Sequence, residues 1–178
     1  LRSLPNLTIL SPASPVEVAK ATRAAYEYNG PVYMRLGTNR EQEIYEKDYS
    51  FEIGKGVTLY SGADVTVIGT GNILSEVIKA REKMGEKGIS VRVINIHTLK
   101  PIDREIIMKA ISETKGIVTV EDHNIIGGLG SAVAEVIAES RTGIPFARIG
   151  LRDHFAVEYG SYDDMKRQNK VGIEEIIL

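Results

Sequence analysis

Val65-Thr66-Val67-Ile68-Gly69-Thr70-Gly71-Asn72-Ile73-Leu74 passes from a β-branched run through two glycines into an apolar helical start. Val, Ile and Thr pack well on a pleated surface and lose rotamer freedom in a helix, so the opening residues read as a strand. The glycines allow a tight turn. Beyond them Ile73, Leu74, Val77, Ile78 and Met84 share the inner side of a helix that ends near Gly88. The alternation continues downstream. Val91-Arg92-Val93-Ile94, Ile117-Val118-Thr119-Val120 and Phe146-Ala147-Arg148-Ile149 are further strands. Between them, a helix starting at Asp103 carries Ile106, Ile107, Ala110 and Ile111, with Ile102 and Ile107 spaced as a hydrophobic staple. Another carries Val133, Val136 and Ile137, and Ser161-Tyr162-Asp163-Asp164 caps one more. Val57-Thr58-Leu59-Tyr60 adds a strand, joined onward through Ser61-Gly62-Ala63-Asp64. The pattern predicts an α/β fold: a Rossmann-like open, mostly parallel sheet with helices on both faces.

Residues 1–37 form a separate unit. Leu7-Thr8-Ile9-Leu10 is a short strand. Ser14 is an N-cap, Pro15 stands at N1, and Glu17 at N3 closes a capping box. Val18, Ala21, Thr22, Ala25 and Tyr28 make one stripe, and Asn29-Gly30-Pro31 stops the helix before the strand Val32-Tyr33-Met34. This β-α-β unit cannot bury both faces of its own strands, so it reads as the remnant of a second α/β domain. Residues 38–55 show no sustained period and read as a linker, and 56–178 as the complete domain. The chain opens Leu1-Arg2-Ser3 and runs almost at once into ordered-looking sequence, which points to a truncation or a natural split.

Composition narrows the function classes. The 178 residues hold 22 Lys+Arg against 24 Asp+Glu, a net charge of −2, so nothing draws the chain to nucleic acid or an anionic membrane. No apolar run approaches the roughly 18 residues a membrane span needs. No signal peptide is visible. With 0 cysteines there is no disulfide, thiolate metal site or cysteine nucleophile. A cytoplasmic location is expected.

Each candidate site has a plain structural reading beside it. Gly69-Thr70-Gly71 sits where a dinucleotide fingerprint would, but Leu74 replaces the third glycine and Asn95 the ribose-binding acid. A tight strand-to-helix turn suffices. Gly127, Gly128 and Gly130 surround another helix start and can expose N–H groups to an anion, or allow close packing. Glu121-Asp122-His123 ends a strand, where an α/β sheet presents residues to its ligand crevice; the same residues can simply hold the glycine loop. Arg35 and Arg40 bracket the exit of Val32-Tyr33-Met34, and a guanidinium there can clamp a phosphate. His97, His123 and His154 lack metal-ligand spacing. No catalytic constellation stands out.

Taken together, several segments resemble the transketolase family. Leu1-Arg2-Ser3-Leu4-Pro5-Asn6 and Gly30-Pro31-Val32-Tyr33-Met34-Arg35 are similar to the end of its pyrimidine-binding domain. Val65 to Gly71, Leu99-Lys100-Pro101-Ile102-Asp103, and Thr119-Val120-Glu121-Asp122-His123 with Gly127-Gly128-Leu129-Gly130 resemble its C-terminal domain. The resemblance implies a parent enzyme of the pentose phosphate pathway that moves a two-carbon ketol unit between sugar phosphates, using thiamine diphosphate and a divalent metal at a dimer interface. It places the catalytic glutamate, the histidine-bearing loop and the metal motif outside this sequence. The chain alone is then expected to be inactive and to bind no cofactor, with an N-terminal portion or subunit as partner and homo-oligomer contacts through the C-terminal domain. The family's phosphate-binding arginine falls nearest Thr38, flanked here by Arg35 and Arg40. Glu121 to Ser131 is the expected contact loop. Deoxyxylulose-phosphate synthases share the architecture but carry Arg-Tyr-Pro-Arg-Gly where this chain has Arg35-Leu36-Gly37-Thr38-Asn39. The beta subunits of 2-oxo-acid dehydrogenases lack the pair seen at Asp122-His123. A free-standing, non-catalytic α/β binding module is the remaining alternative.

Overall fold

A computed structural model describes residues 1–37, 42–45, 48–155 and 159–177. In chain order the N-terminal elements are β1 (Thr8–Leu10), α1 (Pro15–Glu27) and β2 (Val32–Met34). Then follow β3 (Val57–Tyr60), β4 (Val65–Gly69), a 3-10 turn at Gly71–Ile73, α2 (Leu74–Glu86), β5 (Val91–Asn95) and β6 (Thr98–Lys100). The chain continues with α3 (Arg104–Glu113), β7 (Ile117–Asn124), α4 (Leu129–Ser140), β8 (Phe146–Leu151), α5 (Tyr162–Gln168) and α6 (Ile173–Ile176).

Five strands form the main sheet in the order β3-β5-β4-β7-β8. All neighbours pair in parallel except the edge strand β3, which runs antiparallel to β5. Side chains alternate across this sheet, as the strand period requires. Val67, Val93, Val118 and Val120 join Leu74, Val77 and Met84 of α2 and Ile176 of α6 in one buried cluster. Ile68, Ile94 and Ile117 join Ile107 of α3 and Leu129, Val133 and Val136 of α4 in the other. Both faces are therefore covered, as the uninterrupted β-branched runs predict. Ile102 packs on the same cluster as Ile107, and the Asp103 carboxylate accepts from Ile106 N at 3.1 Å as the N-cap. From β4 the chain goes to β5 on one side and then to β7 on the other. The carboxyl ends of β4 and β7 thus flank a topological switch point, where open α/β sheets form a crevice.

The N-terminal strands belong to a second sheet, of order β2-β1-β6. β1 pairs with β2 in parallel and with β6 antiparallel, Leu10 opposite Thr98 and Ile9 opposite Lys100. Ser11 N donates to His97 O at 2.8 Å and extends the join. β6 was not legible as a strand: it spans only 3 residues and runs straight into Pro101, with no alternation to reveal it.

Glu17 departs from its expected local role. Ser14 Oγ does accept from Glu17 N at 3.3 Å, but the reciprocal bond of the capping box is absent. The Glu17 carboxylate, fully buried, accepts instead from Ala13 N at 2.6 Å and from Asn95 Nδ2 at 2.9 and 3.1 Å. The hydroxyls of Tyr45 and Tyr49 also donate to it, the latter at 2.6 Å. The carboxylate is drawn off its own helix because Asn95, at the end of β5, and two phenols offer it donors in a buried site. The described part of 38–55 is therefore packed rather than a free spacer. Ile44 is buried in the α2-side cluster, Tyr45 stacks on Tyr49 with centroids 4.2 Å apart, and Phe51 stacks on buried His97 at 4.2 Å.

Removing the Glu17 carboxylate takes the acceptor from Ala13 N and from the Tyr49 hydroxyl, and leaves Asn95 Nδ2 only the Tyr45 hydroxyl. Each such loss costs about 1–3 kcal/mol. Glu17→Ala should destabilise the chain by roughly 3 kcal/mol in urea unfolding. An exposed-site control such as Glu27→Ala, on the same helix, should change stability by less than about 0.5 kcal/mol.

Candidate functional site

Glu121, Asp122 and His123 close β7, and the strand period sends them in different directions. Glu121 points to the α4 side and is almost fully buried. Its carboxylate accepts from Leu129 N at 2.8 Å and Gly130 N at 2.9 Å, the first free donors of α4. A helix N-terminus is electropositive and stabilised by an anion. Here the chain supplies that anion from a neighbouring strand. The glycines leave room for it. A Cβ on Gly128 would lie 1.8 Å from Glu121 Oε2, and one on Gly130 would lie 2.8 Å from Thr119 Oγ1 and Arg148 Cδ. Gly127, at φ +77°, turns the loop, and its N–H donates to Ser131 Oγ at 3.0 Å. The N–H groups of Gly127, Leu129 and Gly130 thus bind groups of the protein itself. Burial pushes the Glu121 pKa up, and its two backbone donors only partly oppose that.

Asp122 points the other way and joins two distant parts of the chain. Arg35 Nη1 donates to its Oδ1 at 2.6 Å, and Arg35 Nη2 donates to its backbone carbonyl at 3.1 Å. Tyr162 OH donates to Oδ2 at 2.8 Å. Burial acts to lower the Arg35 pKa, but the Asp122 charge and hydrogen bond outweigh it and hold the guanidinium above its ordinary value. Burial, then the Asp122 charge, raises the Tyr162 phenol. His123 is more than half exposed, with Nδ1 2.8 Å from Asn124 O and 3.9 Å from Glu121 Oε2.

Arg35, Glu121, His123, Gly127 and Gly128 line one cleft of about 160 Å³ between the two sheets, together with Thr70 and Tyr33. Asp122 reaches it through Arg35, and Gly130 sits behind Glu121. Arg40 lies outside the described residues. His97 and His154 are elsewhere: the first is buried beside Phe51, and the second has Nε2 3.2 Å from Asn169 Oδ1. Among the described residues no group of three or more His, Cys, Asp or Glu can hold a metal ion. Sequence reasoning missed Tyr162 and Thr70 as members of this region. Tyr162 registered only as part of a helix cap, since nothing in its local pattern points 40 residues back to Asp122. Thr70 registered only as the middle of a turn; its buried hydroxyl has no hydrogen-bond partner among the described residues.

Residues 54–175 match the family described as "Transketolase, C-terminal domain". The chain belongs to the transketolase family. A protein of Methanocaldococcus jannaschii, provisionally named a transketolase C-terminal section, is 43% identical over 157 residues, covering 87% of this chain and 49% of its own length. One of the subunits of an apulose-4-phosphate transketolase from Actinobacillus succinogenes is 36% identical over 99% of this chain and 57% of its own. A solved structure described as "Split gene transketolase, inactive beta4 tetramer" superimposes with a TM-score of 0.92 at 35% identity, over 99% of this chain and 57% of that one. The chain thus spans about half the length of the curated relatives it matches, and it corresponds to their C-terminal portion.

The raised Glu121 pKa carries a pH signature of defined sign. Its folded value lies above the ordinary 4.5, so the folded chain retains this proton where the unfolded chain has lost it. The contribution to stability is most favourable below the unfolded value and declines as pH rises through the folded one. The exposed Asp64, Asp163 and Asp164 are shifted down from 3.8, so their contributions change at lower pH. In urea titrations from about pH 4 to about pH 7, wild type should therefore lose stability relative to Glu121→Gln as pH rises. A wild-type-minus-variant difference that stays flat or grows with pH would contradict the assignment.

Proposed function

We propose that this chain is the C-terminal part of a transketolase-type transferase, one that moves a two-carbon ketol unit between sugar phosphates with thiamine diphosphate and a divalent metal. The observation that carries the reading is the half-length match to a C-terminal section and to a single transketolase subunit, at 43% and 36% identity. The chemistry of the cleft agrees with a supporting part. The described residues do not fit a diphosphate and its metal: the loop donors at Leu129 and Gly130 are taken by Glu121, and no metal-binding cluster lies among those residues. Cofactor and reacting groups then come from a partner, either a preceding segment or a separate N-terminal subunit.

The C-terminal part supplies two things to that partner. One is the exit of β2, where Arg35 has guanidinium N–H groups beyond the two held by Asp122 and lines the cleft. That exit is the place to receive a substrate phosphate. The other is the loop from Glu121 to Ser131, whose Ile126 is 64% exposed, as a contact surface between copies in a cytoplasmic homo-oligomer.

The test is reconstitution. The purified chain should show no ketol transfer from xylulose 5-phosphate to ribose 5-phosphate. Combined with its N-terminal partner, thiamine diphosphate and magnesium, it should give activity that saturates at one equivalent of the chain. Turnover by the chain alone would place reacting groups within it. A stable stoichiometric complex that turns over no ketose phosphate would overturn the proposed reaction.

A further inference from the structure

Asp122 occupies a position that the supporting role alone does not require. Its carboxylate is 11% exposed, and each oxygen serves a different element: one takes Arg35 after β2, the other Tyr162 at the start of α5. The Arg35 guanidinium in turn grips both the side chain and the carbonyl of this one residue. Two bonds at an angle fix the strand exit against both sliding and rotation, which one bond cannot do. The backbone anchors the same exit to its own sheet, since Arg35 N donates to Leu10 O of β1 at 2.8 Å.

Tyr162 does not hang free at its end of the link. It opens α5, whose Lys166 is 7% exposed and pairs with Glu76 of α2 at 3.0 Å and Asp163 at 2.8 Å. The next helix, α6, buries Ile176 in the cluster beneath α2. The C-terminal helices are thus anchored on the main domain and reach across, through one phenol and one carboxylate, to the exit of β2.

We propose that Asp122 is a positioning residue for the transfer reaction: it holds Arg35 in the orientation that meets the substrate phosphate, and Tyr162 sets that orientation from the C-terminal helices. This rests on the reading that the β2 exit receives the phosphate. Asp122 touches no reacting atom. It acts by spending two of the Arg35 donors, so that the remaining ones face a fixed direction across the cleft.

The kinetic test uses the assembled enzyme and two acceptors, ribose 5-phosphate and ribose. Asp122→Asn should raise KM for ribose 5-phosphate about tenfold, the scale of one lost charge-assisted hydrogen bond, with kcat within about threefold. Kinetics on ribose should stay within about twofold. Asp122→Glu should recover most of the loss. Tyr162→Phe, which removes one hydroxyl and leaves the Arg35 pair, should move KM the same way by about threefold. The double variant Arg35→Lys/Asp122→Asn should be no worse than the worse single variant. Equal losses on the two acceptors, or additive effects in the double variant, would overturn the proposal.

A second measurement needs no activity. In the chain itself, amide exchange of residues 32–36 should quicken about tenfold in Asp122→Asn and several-fold in Tyr162→Phe. If Tyr162→Phe leaves exchange there unchanged, the link to the C-terminal helices is refuted whatever reaction the enzyme performs. If exchange responds but the assembled enzyme handles no sugar phosphate, the link stands and the reaction assignment fails.

Discussion

The pairing of β1 with β6 is the constraint on which the arrangement depends. β1 has two edges, and buried backbone N–H and C=O groups must find partners. β2 satisfies one edge from within the N-terminal segment, and β6, from nearly a hundred residues away in the chain, satisfies the other. The segment therefore does not merely lean on the main domain. It shares a sheet with it. Three residues of ladder are a short join, and the Glu17 carboxylate reinforces it from behind by gathering Asn95 of β5 and two tyrosines of the stretch that follows β2. The cleft between the sheets follows from this docking, because its walls come from both sides of the join.

Within that frame a single strand end performs two unrelated tasks. Residues 117, 119 and 121 of β7 face α4, while 118, 120 and 122 face α2. Glu121 therefore neutralises the N-terminus of α4, and Asp122, one residue on, holds Arg35 and Tyr162. The glycines around 127–130 are the counterpart of the first task, shaped to the volume of a carboxylate that the fold already contains.

Much of this was legible because its causes are local. β-branched runs set the strands, the inner stripe of α2 set its buried face, and Asp103 and Ser161 marked helix starts by capping chemistry that the structure realises. The site was legible in part, because Arg35, Glu121, His123, Gly127 and Gly128 each stand where chain direction changes at a strand end, and the topology gathers such points on one side. What failed had non-local causes. β6 exists only because β1 is beside it. Glu17 looked like half of a capping box since Ser14 lies three residues before it, but Asn95, Tyr45 and Tyr49 compete for the same oxygens and prevail. The glycine loop resembled an anion site for a sound reason. It does bind an anion, and that anion is Glu121, the strand-end residue whose plain reading was to hold this loop.

The Arg35–Asp122 pair is also where cost and purpose are easiest to weigh. A partly buried ion pair gives up hydration that its attraction does not fully return, so such a pair is weak support for a stability role. An apolar contact between β2 and β7 would hold the two sheets together at less expense in desolvation. What it would not do is fix direction, because hydrophobic contact is non-directional, whereas the forked guanidinium meets a carboxylate and a carbonyl in one orientation only. Direction as well as place is what the forked pair adds to the join between the two sheets.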